Sequence, residues 1–176
     1  IHASINRIGL QNDIVIGNAL VDTYAKCGLL EEAQVTFNTL VVQDIISWTT
    51  LITGYAQLGK IENAIWTFKK MLTKGMKPNA ITFSSILNCC CHGGLVDEGE
   101  VCFRAMCSHW QLVPTIEHYT SMVDLFGRAD HVDKGVSVIM TMPFHPSIVM
   151  WHTVLGTCQR SGLLRLLSML LAIPWS

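Results

Sequence analysis

Cys89, Cys90, Cys91 and His92 are the residues whose types could hold a metal ion. Successive residues of a helix project about 100° apart, whereas a bound ion needs ligands that converge. If the segment is helical, the run cannot close on one ion, and cysteine is small and apolar enough to pack instead. Cys102, Cys107 and His109 have loose metal-like spacing but no second pair, so packing is again the better reading. No Ser/His/Asp arrangement and no phosphate-cradling glycine loop occurs. The sequence predicts a non-catalytic chain without metal or cofactor.

A second set of residues could do chemistry of a milder kind. Asn18, Thr49, Ser84, Thr120 and His152 are all polar, and each directly follows a landmark position: Gly17, Trp48, Phe83, Tyr119 and Trp151. The landmarks are separated by 31, 35, 36 and 32 residues. An independent set, Gly28, Gly59, Gly94, Asp130 and Gly162, has the same uneven steps. Two landmarks that keep one irregular spacing indicate an array of four or five repeated units. For a single polar residue a solvated helix face suffices as an explanation. Five in register point to a column of hydrogen-bonding groups along one face.

The elements that must position this column are helices. In the second complete unit Trp48, Leu51, Ile52 and Tyr55 form an apolar stripe at helical spacing. Gly59 then tolerates positive φ and ends that helix. Ile61, Ala64, Ile65, Phe68, Met71 and Leu72 form the next stripe, and Lys69, Lys70 and Lys74 favour its C-terminal end through the helix dipole. Gly75 and Pro78 close the unit. One helical hairpin cannot bury both stripes, but stacked hairpins can. The predicted fold class is all-α, an α-solenoid with a concave face.

Bulk properties bound the partners. The chain has 176 residues, half of them hydrophobic, and a formal net charge of −1. That is enough apolar content for a core, and no global basic field draws in nucleic acid or an anionic membrane. A local polar or basic groove remains compatible with this balance. The seven cysteines are odd in number and three are consecutive, a poor disulfide framework that suits a reducing compartment. The apolar stretch from Leu166 to Trp175 is too short to span a bilayer. The chain opens on Ile1 within a segment that already reads as helix, so a piece of a longer protein is expected.

Two hairpin families suit units of this size. Tetratricopeptide repeats keep 34 residues. Trp48, Leu51, Tyr55, Ala64 and Phe68 fit that pattern, but Ile52 stands where it wants glycine and Pro78 comes two residues late. The better resemblance is to the pentatricopeptide repeat, in the plant variant that alternates ordinary, long and short units. Residues 14–44, within NDIVIGNALVDTYAKCGLLEEAQVTFNTL and the loop after it, resemble the short unit. Residues 45–79, in DIISWTTLITGYAQLGKIENAIWTFKKMLTKGMKPN, resemble the ordinary unit. Residues 80–115, opening AITFSSILNCCCHGGLVDEGEVCFRAM, resemble the long unit, and 116–147, IEHYTSMVDLFGRADHVDKGVSVIMTMPFHPS, the last short unit. Residues 1–13 resemble the second helix of a preceding long unit, and IVMWHTVLGTC, at the start of 148–176, resembles an E-type extension.

The resemblance implies a right-handed solenoid that binds single-stranded RNA, with each unit reading one base by two or three side chains. The residue after the aromatic position and the residue closing the unit contact a base edge, while the residue two before the aromatic packs on base faces. Carried over, these are Asn18 with Asp44 and Val15 for uracil, and Thr49 with Asn79 and Ile46 for adenine. Ser84 with Thr115 and Ile81 belong to the long unit, which is assigned no base. Thr120 with Ser147 belong to the last short unit, where Glu117 occupies the packing place. His152 takes the equivalent place in the final segment and is not read as a base contact.

The family role of this subtype is to position organellar transcripts, in mitochondrion or chloroplast, for C-to-U editing, with the deaminase on a separate partner protein. The zinc deaminase signature, His-x-Glu with Pro-Cys-x-x-Cys, is absent here: His131 is followed two places on by Asp133. Neither a membrane nor a small-molecule substrate is expected as a partner. From another class, a protein-interaction scaffold with a peptide in the groove remains open. Residues 163–176 depart from the E-type pattern, because Arg165 is the one charge in a run of leucines.

Overall fold

The computed structural model describes residues 13–160, which contain nine α-helices. They are α1 (Ile14–Lys26), α2 (Leu30–Thr39), α3 (Ile45–Gln57), α4 (Ile61–Thr73), α5 (Ala80–Gly93), α6 (Val96–Ser108), α7 (Ile116–Arg128), α8 (Val132–Thr141) and α9 (Ile148–Arg160). The expected helix at 1–13 and the leucine-rich tail at 163–176 lie outside the described residues, apart from Asp13.

The two helices of each hairpin begin by different means. Four of the five first helices, α1, α3, α5 and α9, are capped by side chains, which satisfy backbone donors left open in the first turn. Asp13 accepts from the Val15 N–H at 2.8 Å, Asp44 from Ser47 N–H at 2.8 Å, Asn79 from Thr82 N–H at 2.9 Å, and Ser147 from Met150 N–H at 3.3 Å. The second helices α2, α4, α6 and α8 have no side-chain cap. They follow tight turns through Gly28, Gly59 and Gly94 at φ of 78°, 68° and 65°. Asp130 takes φ 58° at the fourth turn, a conformation that a short polar side chain tolerates better than most.

The stack has two layers. The first helices pack directly on one another in the order α1, α3, α5, α7, α9. Each second helix packs on its own partner and on the first helix of the next unit. Edge-to-face aromatic pairs close these junctions: Phe37 on Trp48 with centroids 4.6 Å apart, Phe68 on Phe83 at 5.8 Å, and Phe103 on Tyr119 at 5.4 Å. The predicted stripe of Trp48, Leu51, Ile52 and Tyr55 is buried, as are Ala64, Phe68 and Met71. The result is the expected all-α solenoid.

Small residues allow the inner helices to approach. A Cβ added at Gly54 of α3 would lie 2.6 Å from the Ala25 Cβ of α1, and neither atom has a flexible arm that can turn away. Gly54→Ala should therefore destabilise the stack by about 1–3 kcal/mol despite the better helix propensity of alanine. Thermal unfolding of the variant checks this.

Candidate functional site

The column of polar residues lies on α1, α3, α5, α7 and α9, along the inner layer. Beside it runs a row of exposed aliphatic side chains: Val15 is 71 % exposed, Ile46 58 % and Ile81 62 %. These residues lie in helices that bury their neighbours, so their exposure marks a face that the protein itself does not cover. Val149 of α9 extends the row and was not singled out in the sequence; its place two before Trp151 was the available signal.

The first unit brings Asn18 and Asp44 into contact. The Asn18 Nδ2 donates to Asp44 Oδ1 at 3.1 Å and lies 3.4 Å from Oδ2. Asn18 Oδ1 is buried and has no hydrogen-bond partner. A buried acceptor without a donor is costly, so this oxygen is poised to receive one. Asp44 Oδ1 also caps α3, and the pair together offers carboxylate and amide acceptors with the second Nδ2 hydrogen of Asn18.

The second unit joins Thr49 to Asn79 through an intermediary. Thr49 Oγ1 lies 2.8 Å from Thr82 Oγ1. The Thr82 hydroxyl donates to Asn79 Oδ1 at 2.9 Å, so the shared hydrogen in the first contact is that of Thr49. Thr49 is left with lone pairs, and Asn79, whose Oδ1 accepts twice, is left with its Nδ2 donors. Thr49 is only 7 % exposed, so the residue at the heart of the column is buried and not a solvated surface threonine. Ile46, Thr49, Asn79, Ile81 and Lys26 line one cleft of about 270 Å3 between α1, α3 and the start of α5. Thr82 and Lys26 were not singled out by the sequence reading.

The third unit differs. His118 of α7 is fully buried where Ser47 and Thr82 stand in the units before. Its Nδ1 accepts the Thr115 N–H at 2.9 Å, and its Nε2 lies 2.9 Å from the Ala80 carbonyl and 3.1 Å from Ser84 Oγ. Ser84 and Thr115 are thus bridged by an imidazole. Thr115 Oγ1 donates to Glu117 Oε2 at 2.5 Å, and this hydrogen bond holds the exposed Glu117 carboxyl below its ordinary pKa.

The structure does not bring the last pair together. Thr120 Oγ1 turns back to the Ile116 carbonyl at 2.7 Å, and Ser147 serves as the cap of α9. His152 is exposed.

Of the metal-like residues only the three consecutive cysteines pack as expected; Cys102 is half-buried, and Cys107, His109 and His92 are exposed, so the packing expectation fails for them. Cys89, Cys90 and Cys91 are buried in the core around α5. Among the described residues no group of three His, Cys, Asp or Glu side chains comes together to hold an ion, and no helix is long and apolar enough to cross a membrane. Burial pushes the Cys89 thiol up to about 11 and the Cys90 thiol up to about 12, the latter helped by neighbouring thiols and Glu98.

Capped inner helices, left-handed turns and a polar inner column define a solenoid of helical hairpins. The PPR repeat family model matches residues 43–92, and the PPR repeat model matches 18–44, 81–110 and 117–144, so the chain belongs to the pentatricopeptide repeat family. It is 39 % identical over 162 residues to the Arabidopsis thaliana pentatricopeptide repeat-containing protein At3g03580, covering 92 % of this chain and 18 % of that protein. It is 42 % identical over 159 residues to At5g66520 of the same plant, covering 90 % of this chain and 26 % of that one. The chain thus spans between 16 % and 26 % of the length of such curated relatives.

Among solved structures, the fold matches the pentatricopeptide repeat protein PPR10 from maize with a TM-score of 0.76, at 19 % identity, over 88 % of this chain and 24 % of that one. PPR10 in complex with an 18-nt psaJ RNA element matches at 0.67, with 27 % identity, over 79 % and 21 %. The PPR domain of Arabidopsis thaliana protein-only RNase P 1, in complex with tRNA, matches at 0.72, with 14 % identity, over 90 % and 86 %.

A thiol reagent should label the exposed Cys27 and Cys107 of the native protein at pH 8, while Cys89, Cys90 and Cys91 react only on unfolding. The buried thiols stay neutral in the fold, whereas those of the unfolded chain ionise near pH 8.5. Their contribution to stability is therefore complete below that pH and is lost as pH rises toward 11 and 12. Denaturant titrations at pH 8 and pH 10 should show the lower midpoint at pH 10.

Proposed function

We propose that the inner face binds single-stranded RNA and reads its sequence, one base for each of the first two units. The observation that carries this reading is the cleft in which Thr49 lone pairs and Asn79 amide donors sit between exposed Ile46 and Ile81. An unpaired base can slide between two aliphatic side chains and present its Watson–Crick edge to polar groups at the cleft floor. Adenine offers an amino donor and the N1 acceptor, the complement of that pair. In the first unit the acceptors of Asn18 and Asp44 complement the imino N–H of uracil. Asn18 reaches farther than threonine, which leaves room for the smaller ring. Lys26 at the cleft wall is paired with Asp22 at 2.7 Å and would have to leave that carboxylate to meet a phosphate. That two relatives of this fold were solved with RNA supports the same ligand class.

The alternation of short, ordinary and long units, with boundaries after residues 13, 44, 79, 115 and 147, supports the variant of the family whose arrays end in an E-type extension. In that setting the chain is part of an organellar specificity factor, in mitochondrion or chloroplast. It positions a transcript for C-to-U editing by a separate deaminase-bearing protein.

The test is binding of the chain to short RNAs randomised at every base, at several salt concentrations. Adjacent uracil and adenine should be enriched, and affinity should fall as salt rises because phosphate contacts release counterions. Salt-insensitive binding of peptides instead, with no RNA bound, favours the scaffold reading. Thr49→Asn should move the second unit's preference from adenine to a pyrimidine. Asn79→Ala should remove that preference and, through loss of the α5 cap, about 1 kcal/mol of stability, read by selection on the same RNA pool and by denaturant titration.

A further inference from the structure

We propose that the outer layer of the stack is a second binding surface, which takes an amphipathic helix of a partner protein laid lengthwise across α2, α4 and α6. This surface belongs to the second helices and not to the inner groove, so the inference does not rest on RNA binding. It begins with one register position. Val35, Trp66 and Val101 are each the sixth residue of their helix, and they are 57 %, 57 % and 58 % exposed. A single exposed apolar residue is ordinary. Here three stand in line, one in each unit, with an exposed tryptophan at the centre, and such a patch marks a surface that something else covers. Ser137 holds the same position in α8 and ends the row.

Charges flank the row on both sides. Toward the helix starts stand Glu31, Glu32, Glu62, Asp97 and Glu98, all exposed. Toward the helix ends stand Lys69, Lys70 and Arg104, also exposed. The helix dipole favours this order of charge, but it gives no reason for apolar side chains on the exposed face between. Neither ion pair among the described residues, Lys26–Asp22 or Lys134–Glu100, uses any of these groups. Lys70 lies over the Trp66 ring, 4.7 Å from its centroid, and still leaves the residue more than half exposed.

Dimensions decide the occupant. Glu62 to Lys69 and Asp97 to Arg104 are each seven residues apart. That is about 10 Å along a helix axis, the width of an α-helix with its side chains. Neighbouring units repeat at about the packing distance of helices, roughly 10 Å. A helix returns a side chain to one face every seven residues, after about 10.5 Å. An extended chain covers that step in about three residues, which puts successive anchors on opposite faces. The occupant is thus a helix with apolar side chains at a seven-residue interval. Lysine or arginine lies along the edge that meets the carboxylates, and aspartate or glutamate along the other. Leu30, Val35 and Tyr55 line a cavity of about 460 Å3 between α2 and α4, room for one apolar side chain of the partner. A central tryptophan ringed by polar groups is the arrangement that concentrates binding energy.

The experiment uses the whole chain and a fluorescein-labelled synthetic helix with leucine at every seventh position, lysine on one flank and glutamate on the other. Fluorescence anisotropy should show saturable binding, and a peptide of the same composition with its charges shuffled should bind about tenfold more weakly. Trp66→Ala should weaken the designed helix about tenfold, with a thermal midpoint close to wild type because the side chain is exposed. Lys69→Glu combined with Lys70→Glu should also weaken binding. A peptide whose glutamate flank is changed to lysine should then regain affinity, which a merely destabilised variant would not allow. Absence of binding, equal binding of the shuffled peptide, or binding untouched by Trp66→Ala overturns the proposal. So does sedimentation of the chain as a dimer that Trp66→Ala dissolves, since the face is then covered by a second copy. Selection of uracil and adenine by the inner groove is read separately and stands or falls on its own.

Discussion

The edge-to-face contacts at the unit junctions are the constraint on which the rest depends. Phe37, Phe68 and Phe103 each project from a second helix into the aromatic landmark of the following unit. Edge-to-face pairs have a defined geometry as well as a large buried area, so they set the rotation of each first helix about its own axis. Once Trp48 and Phe83 face outward to the second layer, the residues beside them in sequence are turned to the inner side of the stack. The polar column is a consequence of where the rings are held.

The start of each inner helix does a second job. Asp44, Asn79 and Ser147 satisfy backbone donors that would otherwise be open, and they do so at the edge of the groove. A group that holds a helix end has little freedom to turn, so its remaining donors or acceptors are presented in one orientation. Preorganisation of this kind lowers the ordering cost of binding. It also limits the residue types that can stand there to those that cap well.

Much of this was legible in the sequence. The two landmark series, the glycine turns and the stripe of Trp48, Leu51, Ile52 and Tyr55 specified hairpins, spacing and layers, because hydrophobic periodicity and positive φ are local signals. The burial of Cys89, Cys90 and Cys91 agrees with the reading of cysteine as a small apolar packing residue. The wiring between units did not, since Thr82 and His118 lie more than thirty residues from Thr49 and Ser84. The third position of an inner helix reads as an ordinary part of a stripe. Only the stack shows that it faces backward into the preceding unit. The burial of Thr49 was not legible for the same reason, as its hydrogen-bond partner comes from the neighbouring hairpin.

The hydroxyl pair of Thr49 and Thr82 carries a consequence for how such arrays change. On the proposed RNA-reading role, the preference of one hairpin would be set partly by the hairpin after it, as it also would be where Ser84 meets His118. Cutting an array between units and splicing in a foreign neighbour would preserve every side chain of a module and still alter its reading. Duplication and recombination would then conserve meaning only when the excised piece carries the first turn of its successor. The natural exchangeable word is an overlapping segment, longer than the repeat by one helical turn.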